Sequence, residues 1–191
     1  MNVILASQSP RRRELLGLFS FPFTVQVADV DETMDTSAAP ATEVARVSRL
    51  KAEAIPCGQE DVIIAADTIV VCDDRILGKP ADEAEAFATL RLLSGRAHQV
   101  MTGVTVRTRE RCISTTEITQ VFFRALSDKE ISRYIATKEP MDKAGSYGIQ
   151  GGAALFAEKL VGDYFNVVGL PVCRLGQMLK EATPELMEGT P

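Results

Sequence analysis

The chain has 191 residues and a formal net charge of −5, with 46% hydrophobic and 25% charged residues. That length makes one large domain or two small lobes with room for a real core, and the acidic balance argues against nucleic-acid or membrane partners while leaving space for a small basic site. Four scattered cysteines, a single histidine, no signal-peptide pattern and no apolar run of spanning length predict reduced thiols, no zinc site and a cytoplasmic protein.

In chain order, Val3-Ile4-Leu5 reads as a buried strand, followed by a helix over about 11–19. Ser9 suits its N-cap and Pro10 its first turn. The strand therefore delivers Ser7 and Ser9 to a helix N-terminus, and Arg11, Arg12 and Arg13 follow at once. Free N–H groups and guanidinium forks favour a phosphate there. A capped helix with a solvated basic turn accounts for the same residues. A second strand, 24–27, leads into an acidic loop, 28–41, holding Asp29, Asp31, Glu32 and Asp35. It is either a solvated loop or, since it leaves a strand end, part of a ligand site. A helix follows over about 42–55, with Val44, Val47, Leu50, Ala54 and Ile55 on one arc. Lys51 falls inside that arc, where an ammonium needs an anion or water.

Residues 61–72 would be a fully buried strand but for Asp67-Thr68. A carboxylate in such a run must be paired, metal-bound or exposed at a ligand site, which makes Asp67 the leading catalytic candidate. The small Ala65-Ala66 pair leaves room for something to approach. Asp73-Asp74 makes a tight turn, Gly78-Lys79-Pro80 holds Lys79 extended, and a helix spans about 82–93. Two alternating strands, 98–108 and 111–124, come next, with Val100, Thr102, Val104 and Val106 sharing one face of a half-buried pair. His98 on the first reads as structural. Ser127 and Glu130 form a capping-box pattern for a helix ending near 137. The stretch from Glu139 to Gly152 carries four glycines able to wrap a ligand, with Tyr147 as a stacking surface and Gln150 as an amide for a base edge. It is not a P-loop. A hairpin over 153–168 and a helix over 171–182 close the domain, and the tail from 183 is expected to fray.

Four motifs together carry a resemblance: Ser7-Gln8-Ser9-Pro10-Arg11-Arg12, Ala66-Asp67-Thr68, Gly78-Lys79-Pro80, and Asp142-Lys143-Ala144-Gly145-Ser146-Tyr147-Gly148-Ile149-Gln150-Gly151. In order and spacing the chain resembles the Maf-like nucleotide pyrophosphatases over about 2–179. The resemblance implies a single α/β domain over 1–182 with an ITPase-like fold: an elongated mixed sheet flanked by helices, two lobes and a central cleft. It implies hydrolysis of a nucleoside triphosphate to monophosphate and pyrophosphate with a divalent cation, Mg²⁺ or Mn²⁺. The chain looks like the dTTP/UTP branch, because the branch-separating positions read Arg11, Thr68 and Gln150. The sister branch, acting on 7-methyl-GTP, carries Trp, Gln and Glu there. Ser146 departs from the Ala common in the family.

Within that reading Asp67 is general base or orients the water with the metal, and Glu32 is the second metal carboxylate. Ser7, Arg12, Lys51 and Lys79 bind the phosphates, Asp142 and Lys143 complete the cleft, and Arg11, Thr68 and Gln150 select the pyrimidine. A homodimer is expected. The rival expectation is a non-catalytic nucleotide-binding regulator of cell division, which would need the arginines and the glycine loop but not Asp67.

Overall fold

In the computed structural model, which describes residues 1–27 and 29–188, strands form where β-branched residues run together. Helices open at a proline or a polar cap. The elements are β1 (Asn2–Leu5), α1 (Pro10–Leu16), β2 (Phe23–Val25), α2 (Pro40–Glu53), β3 (Asp61–Cys72), β4 (Arg75–Leu77), α3 (Glu83–Leu93), β5 (Ala97–Arg107), β6 (Cys112–Phe123), α4 (Asp128–Ala136), β7 (Ala157–Val161), α5 (Tyr164–Val168) and α6 (Val172–Ala182), with short 3₁₀ turns around the glycine-rich loop and after α6. One mixed sheet has the order β2-β1-β3-β5-β6-β7, with β4 also pairing to β3. β1 runs parallel to β2 and to β3, so each connection needs a crossover, which α1 and α2 supply. The mixed α/β class expected from the sequence is the one found. Among the described residues no helix is long and apolar enough to cross a membrane.

The chain divides into two compact units. The first holds Met1–Asp67, Thr102–Glu117 and the chain from Gly169 onward; the second holds Thr68–Met101 and Ile118–Val168. In the first, α2 lies on the sheet, where Ile4 and Ala6 of the β1 region, Ile63 and Ala65 of β3, and Ala52 and Ile55 beside them form one apolar cluster. The approach is close. A Cβ at Gly103 of β5 would lie 2.2 Å from the Val44 carbonyl oxygen. Beside it the buried Ser48 and Thr105 hydroxyls sit 2.7 Å apart, and Thr105 reaches Ser114 at 2.9 Å. At the other end of α2, Arg107 Nη1 donates to the carbonyls of Ala52 and Ile55, covering acceptors that a helix end leaves unmatched.

In the second unit, β3 turns into β4 through Asp73 and Asp74, both at positive φ, as a two-residue hairpin requires. Helix α4 carries the expected capping box at Ser127 and Glu130. The aromatic centre is His98, Phe123, Tyr147 and Phe156. His98 meets Phe123 and Tyr147 edge to face, and His98 Nε2 lies 2.7 Å from the Tyr147 hydroxyl. Tyr147 is thus a buried core residue and not the stacking surface the sequence led us to expect.

Three other expectations are corrected. Only Ala157–Val161 is strand within the proposed 153–168 hairpin; Tyr164–Val168 is helical. Asp163 accepts from the Phe165 amide, and buried Asn166 donates to the Val100 carbonyl and to Thr119, so this segment spends its polar groups on β5 and β6. β5 is buried on both faces rather than one, with every residue from Val100 to Val106 buried. Where fraying was expected from Thr183, that residue is buried, its hydroxyl donates to the Leu179 carbonyl, and Pro184–Met187 form a 3₁₀ turn; positions 189–191 of that tail lie outside the described residues.

Burial lowers the His98 imidazole from 6.5 to about 4. As pH falls from 6.5 to 4 the unfolded chain takes up a proton that the folded chain resists. Stability is therefore full above pH 6.5 and declines by ~1.4 kcal/mol per unit toward pH 4, about 3 kcal/mol in all. His98→Gln should be less stable at pH 7.5 yet flatter across this window, as read from urea midpoints at matched pH values.

Candidate active site

The first unit gathers five of the residues singled out in the sequence. Alternation along β3 turns Ile63, Ala65 and Asp67 to one face, and Ala65 there packs with Ala52 and Ile55. The room expected beside Ala65-Ala66 is thus filled on that face by α2. The small residues bring the helix close enough for Lys51 to reach the next residue of the same face. Lys51 Nζ donates to Asp67 Oδ1 at 2.7 Å and pairs with Glu32 Oε2 at 2.9 Å. The Lys51 and Asp67 side chains are 13% and 12% exposed, whereas Glu32 is 58% exposed, so one carboxylate is enclosed and the other open to exchange. The α2 arc shifts slightly from expectation. Val44, Val47, Ser48 and Ala52 are buried, Leu50 is half-buried and Ala54 exposed.

Arg12 joins this cluster from α1. Its Nε donates to the Gly169 carbonyl at 2.8 Å and its Nη1 to Ser7 Oγ at 3.3 Å. Burial pulls the guanidinium below its ordinary range, and the nearby charges of Asp67 and Glu32 oppose that pull. Ser7 Oγ also accepts from the Ser9 amide, which leaves its own O–H to donate elsewhere. Ser9 caps α1 through the Arg12 amide. Arg11 is half-buried next to Arg12 and makes no ion pair among the described residues.

The loop that carries Glu32 is tied down by residues that the sequence did not mark. Buried Glu43 binds Arg46 and accepts from the Asp35 amide at 2.8 Å, and Arg46 Nη2 donates to the Thr33 carbonyl. Arg46, and then the Asp35 amide, hold the Glu43 carboxyl below its usual range. The acidic loop is therefore tied to α2 on the C-terminal side of Glu32. An acid in the first turn of α2 was the only available signal, and it read equally well as a helix-dipole residue.

The remaining candidates lie in the second unit. Thr68 is half-buried on β3, Lys79 is exposed with no ion pair among the described residues, and Gln150 is exposed. The Gly145 amide donates to the Gly78 carbonyl at 3.0 Å, which fixes the Lys79 turn against the glycine-rich loop. At φ +67° Gly145 also lies where a Cβ would meet Val70 at 2.7 Å. Asp142 and Lys143 pair with each other, and Lys143 Nζ also donates to the Glu139 carbonyl.

No group of three or more His, Cys, Asp or Glu side chains placed to hold a metal ion exists among the described residues. Glu32 and Asp67 converge on one ammonium, so their oxygens share a locus. Two carboxylates suit a hard cation whose remaining ligands are water and substrate phosphates, not one enclosed by protein alone.

Removing Lys51 leaves an enclosed carboxylate without its donor. Lys51→Met should therefore lower stability by about 2 kcal/mol, and adding Asp67→Asn should restore a large part of it. Urea unfolding of the two variants checks this.

The family described as "Maf-like protein" matches residues 2–182. A protein of Bacillus cytotoxicus named dTTP/UTP pyrophosphatase is 51% identical over 179 residues, covering 93% of this chain and 94% of that one. A protein of the same name from Bacillus mycoides is 48% identical over 180 residues, 94% of each. Among solved structures, that of a HAM1 protein from Coxiella burnetii matches 95% of this chain and 100% of its own, with a TM-score of 0.52 at 15% identity, a likeness of fold. The pairwise identities, the family match and the motifs around Arg12, Asp67, Lys79 and Gln150 agree: the chain belongs to the Maf-like family.

Proposed function

We propose that this protein hydrolyses dTTP and UTP to the nucleoside monophosphate and pyrophosphate. The observation that carries the reading is the enclosed Asp67 carboxylate bonded to Lys51 with Arg12 alongside, in a chain half identical to proteins named for that activity. Water attacks the α-phosphorus, the new P–O bond forms and the α–β bridging P–O bond breaks. The pyrophosphate leaves with the electron pair, and Asp67 takes the proton from the water. Lys51 holds Asp67 through Oδ1, which directs the other oxygen to the water. Arg12, the Ser7 hydroxyl, Lys51 and Lys79 neutralise and orient the triphosphate, and the phosphates compete with the more exposed Glu32 for Lys51. A divalent cation, Mg²⁺ or Mn²⁺, would be held by Glu32 and Asp67 and would neutralise charge on the phosphates.

Arg11, Thr68 and Gln150 select the base in this reading. Arg11 disfavours the cationic ring of 7-methylguanine, and the neutral Gln150 amide pairs with a uracil or thymine edge. Asp142 and Lys143, bonded to each other, with Lys143 also bonded to the Glu139 carbonyl, stiffen the loop that carries Gln150.

A nucleotide panel with Mg²⁺ or Mn²⁺, scored for pyrophosphate release, tests the proposal. UTP and dTTP should exceed 7-methyl-GTP in kcat/KM by at least about 100-fold, ~2.7 kcal/mol of barrier. Preference for 7-methyl-GTP, or release of orthophosphate in place of pyrophosphate, contradicts it.

A further inference from the structure

Gln150 stands at the apex of a turn whose two ends are held by a carboxylate that no motif reading singled out. The Gly151 amide closes the turn on the Gly148 carbonyl at 3.1 Å. On one side, the Gly148 amide donates to the Tyr134 hydroxyl at 3.0 Å, and that hydroxyl donates to Glu139 Oε1 at 2.9 Å. On the other, the Gly152 amide donates to Glu139 Oε2 at 3.0 Å. Each oxygen of the one carboxylate thus anchors one end of the turn.

Two glycines of this loop, Gly151 and Gly148, stand against the Glu139 carboxylate. A Cβ at Gly151 would fall 2.0 Å from Glu139 Oε1, and one at Gly148 would stand 3.1 Å from the same oxygen and 2.8 Å from Lys143 Cε. At Gly152 it would meet the Tyr134 ring at 3.1 Å. The sequence reading took these glycines as room for a ligand; three of them make room for Glu139, Tyr134 and Lys143. The Lys143 ammonium in turn donates to the Glu139 backbone carbonyl, so the root of the residue is fixed as well as its tip. Gln150 itself is exposed at the apex.

The geometry points to Glu139, acting with Tyr134, as the positioning residue for specificity: it sets the place of the Gln150 amide and so determines how sharply the base is read. This rests on Gln150 reading the base as proposed above. A carboxylate suits this place because it accepts at once from the Gly152 amide and from the Tyr134 hydroxyl, and its charge strengthens both bonds. A glutamine at 139 that keeps its oxygen on the Gly152 amide turns an NH₂ group toward the Tyr134 hydroxyl, which then loses its acceptor and the charge that holds it.

The test compares kcat/KM for UTP and GTP in wild type, Glu139→Gln, Tyr134→Phe, Gln150→Ala and the Glu139→Gln/Gln150→Ala double variant, with melting temperatures. Leu90→Val, a fully buried site on α3, serves as a control for plain loss of stability. Glu139→Gln and Tyr134→Phe should each reduce the UTP/GTP ratio at least fivefold, chiefly by raising KM for UTP. The double variant should be no less selective than Gln150→Ala, since the two residues act through one side chain. Leu90→Val should lower the melting temperature and leave the ratio alone. If Gln150→Ala shifts the ratio while Glu139→Gln and Tyr134→Phe behave like the control, the positioning role is overturned and base reading stands. If Gln150→Ala leaves the ratio unchanged, base reading by Gln150 fails and the positioning role falls with it. Should Glu139→Gln fail to fold, Tyr134→Phe decides.

Discussion

The ammonium of Lys51 lies between two carboxylates, Asp67 at 2.7 Å and Glu32 at 2.9 Å, and much of the first unit is arranged so that it can. A lysine on a helix face turned toward a sheet is costly unless an anion meets it, and a carboxylate on a strand interior is costly unless a cation does. Each residue answers the other's cost, so the pair is stable only together. Arg12 adds a second cation within electrostatic range of both acids. A cluster of this kind resists rearrangement and holds two cations in fixed places, which is the preorganisation that phosphoryl transfer rewards.

Reach comes from packing. Helix α2 approaches β5 so closely that only glycine fits at 103, and it meets β3 through Ala52 and Ala65. Arg107 covers the carbonyls at the end of α2, and the Ser48, Thr105 and Ser114 hydroxyls satisfy one another beneath it. Larger residues at these contacts would lift the helix, and the ammonium with it. The acidic loop is then drawn to the same helix through Glu43 and Arg46, which brings Glu32 to Lys51 from the other side.

Much of this was legible from local chemistry. Asp67 announced itself as a charge in an apolar run, and Lys51 as a charge in an apolar arc; the two oddities proved to be one interaction. Strands and helices with strong periodicity or a capping box appeared within two or three residues of their expected ends. What escaped notice depended on distant partners. Glu139 is an ordinary acid before a proline until Tyr134 and Gly152 are folded against it, and Tyr147 is a surface aromatic until His98 and Phe123 enclose it. The 153–168 stretch read as a hairpin turning near Gly162-Asp163, yet its second half is helix, where Asn166 finds its partners on Val100 and Thr119. Gly103 carried a readable signal, an isolated glycine within a β-branched strand, which marks close backbone approach.

Under the proposed mechanism the enclosed carboxylate at position 67 performs the proton transfer while its neighbours hold the triphosphate. Asp67→Asn preserves shape and keeps an oxygen for Lys51 but cannot accept the proton. Measuring UTP affinity by calorimetry and single-turnover hydrolysis on the same preparation tests the claim most directly. Binding should stay within about threefold of wild type while the hydrolysis rate falls by at least ~1,000-fold, ~4 kcal/mol of barrier. A variant that binds UTP and still releases pyrophosphate at near the wild-type rate contradicts it.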